Sequence, residues 1–595
     1  MKYIDGRRFR MAVIAAANKL VSNEDYLNRI NVFPVPDGDT GTNMAATLHA
    51  IVVALQAEDE LGIDTVSQKV SIEALENAQG NSGVILAQFF YGLAEEMGNK
   101  KSVSTREFAA AVQSARRYAY SAMADPREGT ILSVITMMSN TWSEMSARED
   151  DFEIILRQCI SNCQNELDDS PNKLAVLKEA AVVDAGAQGF VHMLEGVLEF
   201  MGKGRLDDLI DSFRKLVDHR EAKSEVITFN PDLKYRYCTE CLVDGSNFDR
   251  ESIGKELHSL GDSIILAGTP DKLKLHIHTN EPEAVFEMMK KYGKVRKQKA
   301  DDMKKQSESA AQENKKRVAV VVDSIADLSE EYLGKYDIHV VPIRVAFGND
   351  QYIDKITLDT RTFYEKLRSS PVFPKTSQPS PKDFTNMYRH LLSHYGEIIS
   401  VHVSKNLSGT YQAALNAARQ VEPDRIHVVD SKSGGLALGI IAIRAVEKLN
   451  AGGSLTDALK EIYALSENRS IFILFETLEY IVKGGRLNAK VGKILTKFKI
   501  MPLITYDDEG RLGKAGIVRP GEKAWPVVLK KWRKSFGENF TDIGIMHAND
   551  PQKAARLQLY IEKEFPNARY FMSEIGPGLG SYAGPGTLAV VAFSK

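Results

Sequence analysis

Four cysteines in 595 residues are too few for a disulfide framework, and at this density they suit a reducing compartment. Charge of one sign is also lacking. The net charge of −3 gives no reason to expect nucleic acid or an anionic membrane as a partner. No apolar run approaches the length of a membrane span. Met1 to Arg10 is charged and leads into an alanine-rich helix, Met11–Leu20, with neither a signal-peptide h-region nor a cleavage site. A cytoplasmic protein without an integral membrane segment is expected. What remains is ordinary globular material, 43% hydrophobic and 26% charged, in a chain long enough for roughly three or four domains.

Residues 1–202 read as an all-α domain. Phe9, Val13, Ala16 and Leu20 share one helical stripe, and similar periodicity returns in Phe108–Met123, Asp151–Leu167 and Gly189–Met201. Residues 203–232, charged and weakly patterned, read as a linker. The period changes over residues 233–300. Tyr235–Val243 reads as a strand, Arg250–Leu260 as a helix, Ser263–Ala267 and Lys272–Thr279 as a hairpin, and Glu283–Tyr292 as a closing helix. This is a small α/β module. Residues 301–316, nearly free of large apolar side chains, read as a second linker. From 317 to 595, Val318–Val322, His339–Phe347, Ile398–Val403, Ile426–Val429 and Ile471–Phe475 are short β-rich runs between helical stretches, which predicts parallel sheets in two α/β lobes. A hairpin at Tyr506–Arg511 and strands at Ile543–His547 and Leu588–Phe593 complete the prediction.

Chemistry concentrates first in Asn31–Met44. Two prolines keep the approach extended, Asp37 and Asp39 straddle Gly38, and Gly41 is expected to turn the backbone before a helix starting near Asn43. Two carboxylates this close repel unless a cation lies between them, and Mg²⁺ suits carboxylate oxygens and phosphates. An Asp-Gly pair alone reads more readily as a polar turn. Three further loops open helices: Gly80-Asn81-Ser82-Gly83, Glu128-Gly129-Thr130, and Val183-Asp184-Ala185-Gly186-Ala187-Gln188-Gly189. A glycine-bracketed turn at a helix N-terminus can hold an anion, though a lone one is usually only a turn. In this order, the four loops closely resemble the nucleotide site of the dihydroxyacetone-kinase L-type (DhaL-like) domain, in the version carried by bacterial fatty acid kinases. The resemblance implies ATP and Mg²⁺, with Asp37 and Asp39 as metal ligands and Asn31 near the place of a third. It also implies a nucleotide site of Thr40, Gly80, Asn81, Ser82, Gly83, Thr130, Asp184 and Gly186, with phosphate contacts from Ser82 and Thr130.

In the small α/β module, Cys238-x-x-Cys241 looks like half a zinc site, but a three-residue offset on a strand sends the two sulfurs to opposite faces. His276 and His278, two apart, share one face. Cys238, His276 and His278 would make three ligands with an open position. On geometry alone the histidines read more readily as ordinary hydrogen-bonding strand residues. The Tyr-Cys-Thr-Glu and His-x-His-Thr-Asn segments resemble the fatty acid kinase middle domain, in which that trio binds Zn²⁺.

In the last domain, Thr376-Ser377-Gln378-Pro379-Ser380 and Leu407-Ser408-Gly409-Thr410-Tyr411 are loop segments, and Gly484-Gly485-Arg486 adds a cation on a turn. Hydroxyls plus an arginine can hold a carboxylate in an apolar pocket, although each segment alone reads as a capping turn. With Val322-Asp323-Ser324 they resemble the DegV family of bacterial fatty-acid-binding proteins. That resemblance places the carboxyl on Thr376 and Ser408, beside Gly409, with Arg486 and Arg519 where the family's functional arginines lie. One departure is Tyr582, in Tyr582-Ala583-Gly584-Pro585-Gly586, where the family commonly has histidine. A phenol can hydrogen-bond but cannot supply a positive charge.

The expectation is therefore a fatty acid kinase, converting fatty acid and ATP to acyl phosphate and ADP, with kinase and carrier in one chain. Asp37, Asp39 and Arg486 would serve catalysis. A homodimer is expected, and a separate carrier or a downstream acyltransferase as partner. The alternatives are a glycerone (dihydroxyacetone)-type kinase and a non-enzymatic lipid-binding sensor that uses nucleotide as a switch.

Overall fold

The computed structural model describes residues 1–56, 62–203, 234–305, 318–485, 501–519, 521–537 and 539–594. The chain divides into two compact units, Met1–Asn314 and Lys315–Lys595.

In the first unit the predicted helices form where the apolar stripes run. Long helices span Gly6–Ser22, Thr40–Leu55, Ile63–Asn77, Gly80–Met97, Thr105–Ser121, Ile131–Met145, Phe152–Asp168 and Ala185–Lys203. Their starts are capped by side chains: Asp5 accepts from Arg8 N–H, Ser104 and Glu107 form a reciprocal capping box, and Asp151 accepts from Glu153 and Ile154. Two three-residue strands, Tyr3–Asp5 and Ser102–Ser104, pair antiparallel beside this otherwise helical domain.

The module after residue 234 is a four-stranded antiparallel sheet. Its strand order is Gly261–Gly268, Lys272–Thr279, Tyr237–Gly245, Gly293–Asp302. The last strand was not predicted, and it carries Asp301 and Asp302, which the sequence pattern assigned to a linker. The sheet is docked on the helices. Ala124 N–H donates to Ile264 O, Leu266 N–H donates to Ala122 O, and Ile265 and Ala267 belong to the same apolar core as the helical domain.

The second unit contains a four-stranded parallel sheet, ordered Ile426–Asp430, Glu397–His402, Val318–Asp323, Ile338–Val341. The expected run His339–Phe347 breaks into Ile338–Val341 and Arg344–Phe347, because Pro342 lacks the N–H a ladder needs. The second large sheet is mixed rather than parallel. Its order is Leu512–Val518, Met501–Tyr506, Arg469–Leu474, Leu588–Ser594, Phe540–His547, Arg569–Glu574, and only the last two strands pair in parallel. A strand pair joined by the short turn at 507–511 can only be antiparallel. The apolar helix Leu436–Asn450 is buried in a core shared with strands of both large sheets.

Candidate functional site

The Asp37–Asp39 loop is held by Asn31. Its Nδ2 donates to Val35 O (2.7 Å) and Asp37 Oδ1 (3.2 Å), while its Oδ1 accepts Thr40 N–H (3.1 Å) and the Thr40 hydroxyl. Asn31 and Thr40 thus brace the loop with the groups expected to face a ligand. Gly38 takes the turn, at φ +66°, and the helix begins at Thr40 rather than near Asn43. Gly41 sits inside that helix, where a Cβ would overlap Glu24 O, so it permits close packing and does not make the turn.

Asp37 and Asp39 lie within hydrogen-bond reach of each other. Burial and the neighbouring Asp39 charge push the Asp37 carboxyl well above its usual range. Burial also raises Asp39, against the opposing pull of Lys299. Two facing, desolvated carboxylates are a donor set that fits a hard divalent cation.

Three helix starts converge beside this loop. Asn81, Ser82, Thr130, Asp184 and Gly186 line a cavity of 540 Å³, within the range of small-molecule sites. Exposed N–H groups at helix starts favour phosphate. The Oδ1 atom of Asn81 is buried without a partner. Gly186 leaves room for Ser82, whose Oγ would lie 2.9 Å from a Cβ there. Thr130 and Asp184 are partly spent on structure. The Thr130 hydroxyl donates to Arg127 O, and Asp184 Oδ1 accepts Ala187 N–H at 2.7 Å. Burial pushes Asp184 up to about 6, against backbone hydrogen bonds from Ala187, Ile131 and Gly186. Gly83 faces Thr47 and is a packing residue.

A smaller cavity of 30 Å³ adjoins the first and is lined by Asp37, Asp39, Asn43, Ser82, Cys238, His276, His278 and Lys299. The sheet register creates its far wall, since Cys238 pairs with His278 and Glu240 with His276. Ligand atoms of Cys238, His276 and His278 lie within 4.8 Å of one another, and Cys238 Sγ is 3.7 Å from His276 Nδ1. The buried His276 Nε2 has no partner, and burial drives His278 down to about 3, so both rings are neutral donors that suit a metal. Cys241 pairs with Leu275 and is fully buried, its thiol pushed up to about 12 by desolvation.

Two functional candidates were missed in the sequence. Lys299 comes from the unpredicted strand and is held by Asp301 Oδ2 at 2.5 Å. Glu240 is two residues from Cys238 on the same face, and strand alternation alone could have found it.

In the second unit, Thr376 and Ser408 line an apolar cavity of 520 Å³ together with Gln378, Gly409 and Tyr582. Thr376 Oγ1 and Tyr582 OH are 2.8 Å apart, and Ser408 Oγ is 2.8 Å from Thr410 Oγ1. A Cβ on Gly409 would overlap Gln378, so glycine lets the two hydroxyl-bearing loops meet. Arg519 is exposed and lies off the cavity wall. Arg486 lies outside the described residues. Asp323, His402 and Ser400 form a hydrogen-bonded chain (3.0 and 2.7 Å) that imitates a hydrolytic triad. All three are fully buried, so no substrate reaches them and the chain is structural.

Residues 34–199 match the DAK2 domain, 234–310 the middle domain of proteins like the first component of fatty acid kinase, and 317–595 the DegV family of uncharacterised proteins. Protein YloV of Bacillus subtilis is 33% identical over 330 residues, covering 53% of this chain and 58% of that protein. An uncharacterized protein of Staphylococcus haemolyticus is 32% identical over 321 residues, covering 52% and 57%. The chain thus spans little more than half the length of these relatives. Among solved structures, a DegV family protein from Thermus thermophilus described as fatty acid binding has a TM-score of 0.44 and 32% identity over 47% of this chain and 100% of that one. DegV of Bacillus subtilis, described as a fatty acid binding protein, has a TM-score of 0.43 and 27% identity over 47% and 99%.

Proposed function

Because the chain joins a DAK2-type domain, a fatty-acid-kinase-type middle domain and a DegV-family domain, we propose that it is an ATP-dependent fatty acid kinase with its acyl carrier built in. The observation that carries the reading is the 30 Å³ cavity where Asp37, Asp39 and Ser82 face Cys238, His276, His278 and Lys299, opening beside a nucleotide-sized space lined by three helix starts. ATP would lie with its phosphates on the Gly80–Ser82 turn and the starts at Thr130 and Gly186. Mg²⁺ on Asp37 and Asp39 would bridge phosphate oxygens and neutralise their charge. Zn²⁺ on Cys238, His276 and His278 would add a Lewis-acidic centre.

The residues of the chain do the remainder. Asn31 and Thr40 fix the paired carboxylates. Lys299, anchored by Asp301, offers an ammonium to the equatorial oxygens of the transferring phosphoryl group. In the DegV-family unit, Thr376, Ser408 and Tyr582 would hold the carboxylate while apolar residues such as Ile325, Leu407, Ile473 and Met546 surround the acyl chain. The ionised carboxylate attacks the γ-phosphorus without needing a base. The bond to the bridging oxygen breaks, ADP leaves with that electron pair, and an acyl phosphate results. This product is a mixed anhydride, so an acyl-transferring enzyme must consume it.

The test is incubation with ATP, Mg²⁺ and palmitate or oleate, with hydroxylamine to trap acyl phosphate as hydroxamate. Hydroxamate matching ADP release is expected. Phosphorylation of dihydroxyacetone without hydroxamate would refute the reading.

A further inference from the structure

Glu240 is 1% exposed, yet it carries three donors from two domains. Oε1 accepts Gly80 N–H at 2.7 Å and faces His276 Nδ1 at 3.2 Å, while Oε2 accepts Lys274 Nζ at 2.8 Å. Gly80 is the first residue of the helix whose Asn81 and Ser82 line the nucleotide cavity, and it sits at φ +60° with its N–H among those a helix start leaves unsatisfied. His276 belongs to the trio able to hold a metal. One oxygen therefore serves a kinase-domain turn and a middle-domain metal ligand at once.

We propose that Glu240 is a positioning residue that couples metal binding at Cys238, His276 and His278 to nucleotide binding at Gly80–Ser82; this rests on the nucleotide and zinc reading above. The physical reason is that Oε1 cannot serve its two partners independently. Lys274 tethers Oε2, so the carboxylate can pivot but not leave. A cation on the trio immobilises the His276 ring, the ring fixes Oε1, and Oε1 fixes Gly80 N–H. The first turn of the helix is then held with Asn81 and Ser82 presented to phosphate. Without the cation the ring, the carboxylate and the turn all gain freedom, and phosphate binding must order them. Linkage makes the effect reciprocal, so bound nucleotide retains the metal by the same factor.

The experiment is calorimetric titration of the full chain with ADP and Mg²⁺, zinc-loaded and chelator-stripped, alongside elemental analysis of zinc. Stripping the wild type should weaken ADP binding at least about fivefold, the lower end of measured couplings, and ADP should slow zinc loss. Cys238→Ser, which leaves Glu240 in place, should bind ADP like the stripped wild type. In Glu240→Gln, ADP and zinc should each bind without affecting the other. Should that variant fail to fold, Glu240→Gln with Lys274→Gln removes the buried ion pair as a unit and should show the same loss of coupling. A wild type that binds ADP equally with and without zinc overturns the proposal, as does coupling that survives in the Glu240 variants. A wild type that binds no ADP or no zinc overturns the cofactor reading itself.

Discussion

Tyr582→Phe removes one oxygen from the carrier cavity, and its effect can be worked from the bond that oxygen makes. Without ligand, the phenol and Thr376 Oγ1 are 2.8 Å apart, a neutral pair contributing about 0.5–1.5 kcal/mol. With a fatty acid bound, the phenol would donate to a carboxylate, and such bonds contribute about 1.5–3 kcal/mol. Phenylalanine loses both, so affinity falls only by the difference. That difference is about 1–1.5 kcal/mol, roughly a 5- to 13-fold rise in Kd. A hydroxyl with no partner in the free state would instead cost the whole amount, roughly 13- to 160-fold. Thr376→Val breaks the same free-state bond from its other end, so the double variant should lose less than the product of the single losses. Tyr582→His, restoring the ring common in the family, should keep much of the affinity. The assay is calorimetric titration of delipidated full-length protein with palmitate. Unchanged binding in both Tyr582→Phe and Thr376→Val would place the carboxyl elsewhere and refute the argument.

Asp37→Ala and Asp39→Ala should each abolish Mg²⁺-dependent ATP turnover while palmitate titration stays as in the wild type, since the acyl cavity belongs to the other unit; full turnover in either variant would reject that carboxylate as a ligand. Elemental analysis should find zinc lost from Cys238→Ala and kept in Cys241→Ala, whose sulfur faces away beside Leu275. Lys299→Met should lower kcat by about 10²–10³ at little cost in ATP affinity, as loss of a charge-stabilising donor does; a change in KM alone would make it a ground-state binding residue. Burial, opposed by Lys355, pushes Asp354 up to about 7. An acid raised in the folded state stabilises it while protonated, so the second unit should lose stability as pH rises from about 4 to 7. Hydrogen exchange at Val318–Asp323 should quicken over that window, and Asp354→Asn should flatten the trend.

Sequence periodicity revealed the site only where one element supplied several of its residues. His276 and His278 are two apart on one strand, so they share a face in any register. Cys238 could be added because a three-residue offset excludes Cys241, and the pairing of Cys238 with His278 realises that geometry. Lys299 gave no such sign. Its strand, Gly293–Asp302, is almost wholly charged or small, because its exposed edge has little apolar surface to bury. The roles of Asn31 and Thr40 were equally illegible, since loop bracing and metal ligation demand the same polar side chains. The parallel lobe was readable from its β-rich runs. The mixed sheet was not, because strand direction there depends on pairing partners far apart in the chain, such as Arg469–Leu474 with Leu588–Ser594.

The docking of Ile264–Leu266 onto Ala122–Ala124 bears on heredity as well as on chemistry. Recombination can exchange domains freely only at joints that cut few contacts. A crossover between the helical domain and the sheet would strip Ile265 and Ala267 from their core, orphan two backbone pairs and leave Gly80 N–H without its acceptor. A crossover between Asn314 and Lys315 divides the two compact units instead. Shuffling should therefore have treated the first unit as one cassette, swapping its C-terminal neighbour while keeping helices and sheet together.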